Sequence, residues 1–301
     1  MSIPMTLTRV LLRLLPTTTE TAETALRFAQ ERTVPAAIPS RLRRIATVEE
    51  TTVNGRRVVR LTPRAGAGTP PNGAHLVYTH GGCYLYPITA VHWRLLGTLI
   101  RDSGVSVSVP LYGLAPDHTA DEAYALLDRV YDDAVDEFGG RVFLGGDSAG
   151  GGLALGQAVR YRDSARRAPA GVLLFSPWLD VTMGNPGIAA LEPLDHLLAP
   201  AGLVAAGVWW AGGLGPRSPL VSPLFDGLRS LPPVTVYQGG HDLFAADARL
   251  LTERILAVGG DVRLQFHPGA FHVFVGAPWT PEARRALAHA AAVLAAPPVG
   301  R

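Results

Sequence analysis

Gly146-Asp147-Ser148-Ala149-Gly150 is a G-x-S-x-G segment, and its surroundings suit nucleophilic chemistry. The apolar run Val142–Gly145 before it reads as a strand. Leu153, Ala154, Leu155, Ala158 and Val159 after it read as a helix, Ala149–Arg162. A serine hydroxyl is a weak nucleophile at its own pKa. It needs a base, a group that holds the base, and donors for the oxyanion it creates. A sharp strand–turn–helix connection exposes the hydroxyl, small neighbours relieve the crowding, and the helix N-terminus aims N–H groups at developing negative charge. The competing chemistry is phosphate binding by a glycine-rich loop. It is disfavoured because neither a Gly-Lys-Ser/Thr nor a G-x-G-x-x-G pattern accompanies the segment.

The other components are found elsewhere in the chain. His80-Gly81-Gly82-Cys83 closes a strand expected over Ala74–Thr79. Its two glycines let the backbone N–H groups of Gly81, Gly82 and Cys83 turn toward a substrate oxygen, joined by the N–H of Ala149. Asp242, in His241-Asp242-Leu243, follows an expected strand Val234–Gln238. His272 follows Val262–His267 after the turn Pro268-Gly269. All these groups lie at the C-terminal ends of strands, in the order Ser148 (nucleophile), Asp242 (acid), His272 (base). The other histidines have weaker claims. His241 reads as a loop residue, His267 closes a strand, and His289 sits within a helix. His75 and His92 have no partner in the pattern, while His118 and His196 stand beside Asp117 and Asp195 in loops. No H-E-x-x-H or C-x-x-C spacing occurs, so neither a metal site nor a cofactor is expected.

These residues need a scaffold, and the chain has the material for one. Its 301 residues are 48% hydrophobic, enough for a large core. With 27 basic and 25 acidic residues, it lacks the basic surplus that a nucleic-acid partner demands. The single cysteine, Cys83, rules out an internal disulfide and fits a cytoplasmic location. Arg9 and Arg13 interrupt the apolar N-terminus, which argues against a signal peptide. The uncharged stretch Leu197–Pro216 is broken by Pro200 and five glycines, so it reads as a helix over an apolar pocket rather than a stable membrane insertion.

Two helices are expected first. One spans residues 4–15, with Val10, Leu11, Leu14 and Leu15 in register. A second is capped by Thr17 and Glu20 ahead of Ala25, Leu26 and Phe28. Asn54-Gly55 between Thr47–Val53 and Arg57–Thr62 signals a hairpin. Further strands are expected at Val105–Pro110 and Val172–Phe175, with helices at Val91–Ser103, Ala120–Phe138, Ala245–Val258 and Pro281–Ala295. This alternation predicts an α/β fold with a mostly parallel sheet of about eight strands. Segments 1–40 and 180–215 fall outside the rhythm and are candidates to cover the sheet's C-terminal edge.

Together these segments resemble the bacterial hormone-sensitive-lipase family of esterases. The resemblance runs from about Leu76 to the C-terminus. It rests on HGGC at 80–83, LAPD at 114–117, GDSAGG at 146–151, SPWLD at 176–180, HDL at 241–243 and FHVF at 271–274. It implies an α/β-hydrolase fold as a single domain with a helical cap from 1–40 and 180–215. It also implies hydrolysis of small-molecule carboxylic esters without a cofactor. Trp209 and Trp210 in the insert point to a roofed pocket for short acyl chains. Alternatives on the same scaffold are an amide, N-acetyl or lactone hydrolase, and a non-catalytic ligand-binding protein. The retained His272 weighs against the last. The chain departs from the family pattern at Cys83, where a third glycine is expected, and at Gly113, where an arginine is expected. The oligomeric state is not readable from the sequence.

Overall fold

A computed structural model describes residues 1–14, 16–31 and 34–296. The chain begins with α1 (Ile3–Leu12), α2 (Ala22–Gln30) and α3 (Ser40–Ile45), followed by β1 (Ala46–Val53) and β2 (Arg56–Pro63). Alternation then runs through β3 (His75–Thr79), α4 (Ala90–Ser103), β4 (Ser106–Pro110), α5 (Ala120–Phe138), β5 (Val142–Asp147), α6 (Ala149–Arg162) and β6 (Val172–Phe175). After an insert that contains α7 (Pro200–Ala211) come β7 (Val234–His241), α8 (Ala245–Ala257), β8 (Val262–Phe271) and α9 (Pro281–Ala295).

Asn54 and Gly55 take φ of 48° and 73° and join the paired residues Val53 and Arg56, the left-handed geometry a two-residue hairpin turn needs. The eight strands form one sheet in the order β1-β2-β4-β3-β5-β6-β7-β8. β1–β2 and β2–β4 pair antiparallel, and every other pair is parallel. The chain steps from β3 to β4 on one side, then returns to β5 on the other. The carboxyl ends of β3 and β5 therefore flank the point where the strand order reverses, the usual place for a ligand crevice.

Strand residues alternate between two cores. Val77, Leu144, Leu174 and Val236 pack in one with α5, α6 and α8. Leu76, Tyr78, Phe143, Leu173 and Tyr237 pack in the other with α4 and α9. This is the α/β/α layering expected of strands that are apolar on both faces.

The N-terminal segment departs from expectation in two places. The cap of α2 is Thr21, whose hydroxyl accepts from the Thr24 N–H, and not Thr17 with Glu20. Residues 18–20 form the preceding turn, so helical geometry starts only after Thr21. In α1 the apolar stripe is turned outward: Leu7, Val10 and Leu11 are exposed, while Met5 is buried. Leu14 is exposed too, and Leu15 lies outside the described residues. The uncharged stretch folds as α7 and a short 3-10 turn, Gly212–Leu214. Among the described residues no helix is long and apolar enough to cross a membrane.

The first segment and the insert meet where α2 packs on α7. The Gly202 N–H donates to the Thr19 carbonyl at 2.9 Å, and the Thr19 hydroxyl accepts from the Ala199 N–H at 2.9 Å. A Cβ at Gly202 overlaps the Thr19 backbone. Gly202→Val is therefore expected to cost about 2 kcal/mol through overpacking. Thermal unfolding should read this as a lower Tm, and limited proteolysis as faster cleavage within 22–30, with the sheet's circular dichroism unchanged.

Candidate active site

β5 ends in a turn that lifts Ser148 out of the sheet. Ser148 adopts φ 52° and ψ −124°, a strained conformation for a residue with a side chain. Its backbone is pinned on both sides. The N–H donates to the Phe175 carbonyl, and its own carbonyl accepts from the N–H groups of Gly151, Gly152 and Trp178. The flanking glycines are required by space. A Cβ on Gly146 overlaps the Gly150 carbonyl, and one on Gly150 overlaps that of Thr79. The next residue, Ala149, opens α6, so its N–H is one of the helix's unpaired donors.

The acid and base come from adjacent strands. β7 and β8 pair in register to Gly239–His267, then slip before His241–Phe271. This bulge ends the regular ladder and sets the next residues, Asp242 and His272, side by side. Asp242 Oδ2 lies 3.0 Å from His272 Nδ1, and His272 Nε2 lies 3.0 Å from Ser148 Oγ. The other Asp242 oxygen accepts from the Phe244 N–H at 2.9 Å. Asp242 is fully buried, while Ser148 and His272 are 3% and 8% exposed. The structure thus brings these three sequence candidates into one hydrogen-bonded chain. Burial disfavours the imidazolium of His272. The Asp242 charge and hydrogen bond, reinforced by Asp195 and Asp147, outweigh it and hold the His272 pKa above its ordinary value.

The four oxyanion candidates do not behave alike. No hydrogen bond joins the N–H groups of Gly82, Cys83 or Ala149 to another of the described residues. Gly81 differs, which corrects its reading as a donor. Its N–H is committed to Asp147 Oδ1 at 3.0 Å. What Gly81 contributes is absence of bulk, since a Cβ there overlaps the Asp147 carboxylate. The N–H of Leu85 closes a turn onto the Gly82 carbonyl at 2.8 Å, with Cys83 and Tyr84 at φ 55° and 60°. Left-handed φ at both central positions normally selects glycine or asparagine, which accounts for the glycine expected at position 83. The Cys83 thiol is buried and, through burial first and Asp195 second, its pKa is pushed up to about 12. It is therefore protonated at neutral pH and poor as a nucleophile.

Several residues at the site escaped sequence reasoning. Tyr78 donates to Asp147 Oδ1 at 2.6 Å, and His92 Nε2 approaches Asp147 Oδ2 at 3.2 Å. Because His92 Nδ1 accepts from the Thr89 N–H at 2.9 Å, the ring proton sits on Nε2 and faces the carboxylate. Burial raises the Asp147 pKa, but His92, Tyr78 and the Gly81 N–H together hold it below its ordinary value. Ser176, at φ 47°, accepts from the Val273 N–H at 3.0 Å and so fixes the turn that follows His272. Asp195, in the insert, accepts from the Leu243 N–H at 3.0 Å, next to Asp242. Tyr78, His92 and Asp195 act through partners far along the chain and form no short motif, and alternation gave a signal only for the sheet face of Tyr78; Ser176 stands in the SPWLD segment, which does not by itself show its contact with Val273. At Gly113 the His118 ring covers the bare Cα. His118 Nδ1 lies 2.6 Å from Glu122 and Nε2 lies 2.7 Å from Arg56 Nη2, so the ring that fills the space beside Gly113 is held from α5 and β2.

A family model described as the alpha/beta hydrolase fold matches residues 76–276. An acetyl-hydrolase of Streptomyces hygroscopicus is 32% identical over 228 residues, covering 74% of this chain and 76% of that protein. A triacylglycerol lipase of Mycobacterium tuberculosis is 31% identical over 76% of this chain, which spans about half (47%) of that lipase's length. The crystal structure of an esterase from the bacterial hormone-sensitive lipase family superposes with a TM-score of 0.77 at 26% identity, covering 98% of both chains. On this fold, site geometry and kinship, the chain belongs to the α/β-hydrolase family, among its hormone-sensitive-lipase-like carboxylic ester hydrolases.

Proposed function

We propose that the protein hydrolyses short-chain carboxylic esters through a serine acyl-enzyme. The observation that carries this reading is the Asp242–His272–Ser148 chain, with both links at 3.0 Å, at the C-terminal edge of the sheet. In it His272 takes the Ser148 proton as Oγ attacks the ester carbonyl, and Asp242 holds the Nδ1–H tautomer and stabilises the imidazolium. The N–H groups of Gly82, Cys83 and Ala149 receive the oxyanion, each contributing about 3 kcal/mol in the transition state. His272 then protonates the leaving alcohol, and a water molecule repeats the sequence against the acyl group.

A short-chain preference is supported by how closely aromatic rings pack around the site. Phe244 meets His272 edge-on at 5.1 Å, and the packing continues through Trp178 and Tyr84 to Trp210 of α7. Tyr84 and Trp210 stack at 4.2 Å, while Trp209 is half-buried at the cluster's margin. Residues 1–40 and 180–215 act in this reading as one cap, joined through the α2–α7 contact. A roofed apolar site holds a limited volume. The name of the acetyl-hydrolase relative accords with a small acyl group.

Five measurements test the reading. Ser148→Ala should lower kcat by about a million-fold with the fold intact. A fluorophosphonate should label Ser148 alone; an active Ser148→Ala protein refutes the nucleophile. Across a chromogenic series from acetyl to palmitoyl, kcat/KM should be highest at about two to eight carbons. Faster turnover of palmitoyl than butyryl esters rejects the roofed pocket. Cys83→Ala and Cys83→Gly should keep most activity, because the position acts through its backbone N–H. Acyl mass on the Cys83 peptide of a trapped intermediate, rather than on the Ser148 peptide, overturns the assignment.

A further inference from the structure

We propose that Asp195 is a positioning residue of the triad: its carboxylate ties the segment leading into α7 to the turn carrying Asp242 and places a second negative charge near His272. The proposal rests on the reading of His272 as the base.

Asp195 is 8% exposed and uses both oxygens. Oδ1 accepts from the N–H groups of Leu197 and Leu198 at 2.8 and 3.1 Å, which alone would be a local turn. Oδ2 leaves that turn and accepts from the Leu243 N–H at 3.0 Å. Leu243 directly follows Asp242, whose own side chain accepts from the next N–H, that of Phe244. The acid's turn is therefore gripped by one carboxylate from within and by another from the insert. A carboxylate with three N–H donors is stabilised in its ionised form, which opposes the desolvation acting on it.

The charges around this arrangement can be named. Asp242, Asp195 and Asp147 act on His272 from the end of β7, the insert and the end of β5. Around Asp195 stand Asp242, His272 and the neutral Cys83. Burial, and then Asp242, push the Asp195 pKa up to about 6, while His272 and the N–H groups of Leu197 and Leu243 oppose them, so at neutral pH and above the group is mostly ionised. His196 and His241 lie close by. Burial, then the charges of Arg9 and Arg13, hold both imidazoles below their ordinary pKa, so near neutral pH neither brings a positive charge. The sign follows: an ionised Asp195 favours the imidazolium and moves the acidic limb of activity upward.

The test compares Asp195→Asn and Asp195→Glu with wild type. kcat/KM for p-nitrophenyl butyrate is measured against pH, and the His272 Nδ1–H is followed by NMR in a Ser148→Ala background. In Asp195→Asn the limb and the imidazole titration should move to lower pH by about half a unit or more. Plateau kcat should fall about ten-fold as the acid turn loosens, with KM changed less than about two-fold. Asp195→Glu should restore the titration to its wild-type position while kcat stays reduced. An unmoved titration in Asp195→Asn overturns the proposal, whatever happens to kcat. If Asp195→Asn fails to fold, Asp195→Ser decides: a titration moved to lower pH supports the proposal, and an unmoved one overturns it. The NMR arm does not need turnover, so loss of the esterase reading and loss of this one are separable.

Discussion

The site depends on a buried carboxylate that the proposed chemistry does not use. Asp147 is 2% exposed, immediately before the candidate nucleophile, and burying an ion without partners costs several kcal/mol. Its partners come from three elements: Tyr78 on β3, the Gly81 N–H beyond β3, and His92 on α4. All three hold the carboxylate, and the Gly81 tie fixes the loop at 80–83 relative to Ser148. An oxyanion hole works only when its donors are already in place, because reorganising them during the reaction forfeits the gain. The Gly81 N–H is spent on this tie so that the N–H groups beyond it have a defined direction.

The acid and base are placed by a different device. In-register pairing of β7 and β8 would carry their ends forward as extended strands with alternating side chains. The slip after Gly239 breaks that pattern and brings Asp242 within hydrogen-bonding range of His272. The sheet supplies the coarse placement, with the ends of β3, β5, β7 and β8 on one edge. Irregularities at those ends set the final distances.

That division explains what the sequence revealed. Strand and helix periodicity is a local property, so β3 to β8 and their helices were legible to within a few residues. Ser148, Asp242 and His272 were legible because each stands at a strand end in a short motif. Gly81 was misread because its role depends on Asp147, across the strand pair β3–β5, and nothing local in HGGC distinguishes a spent N–H from a free one. His92 and Asp195 act through partners far along the chain and carry no spacing signal. The α2 cap was misplaced because Thr17, Thr18, Thr19 and Thr21 are all competent caps; the structure selects Thr21 and commits Thr19 to α7.

Backbone strain at the site links the insert to the sheet. Of the nine described non-glycine residues with positive φ, five, Ser148, Cys83, Tyr84, Ser176 and Val273, lie beside the candidate triad or the proposed oxyanion loop. Each such residue costs on the order of 1 kcal/mol and persists only where its surroundings over-determine it. For Ser148, Ser176 and Val273 the surroundings are sheet carbonyls and the Ser176 hydroxyl. For Tyr84 they are different. The Ala115 N–H donates to its carbonyl, and its ring stacks on Trp178 and, at 4.2 Å and 4°, on Trp210. Trp210 belongs to α7, so the turn that orients the Cys83 N–H is clamped partly by the insert and not by the sheet alone. Asp195 makes a second connection from the same insert to the turn of Asp242. In the proposed reading, the insert carrying α7 therefore also helps hold both the candidate oxyanion loop and the candidate acid, and a change in its packing reaches those groups without touching the substrate.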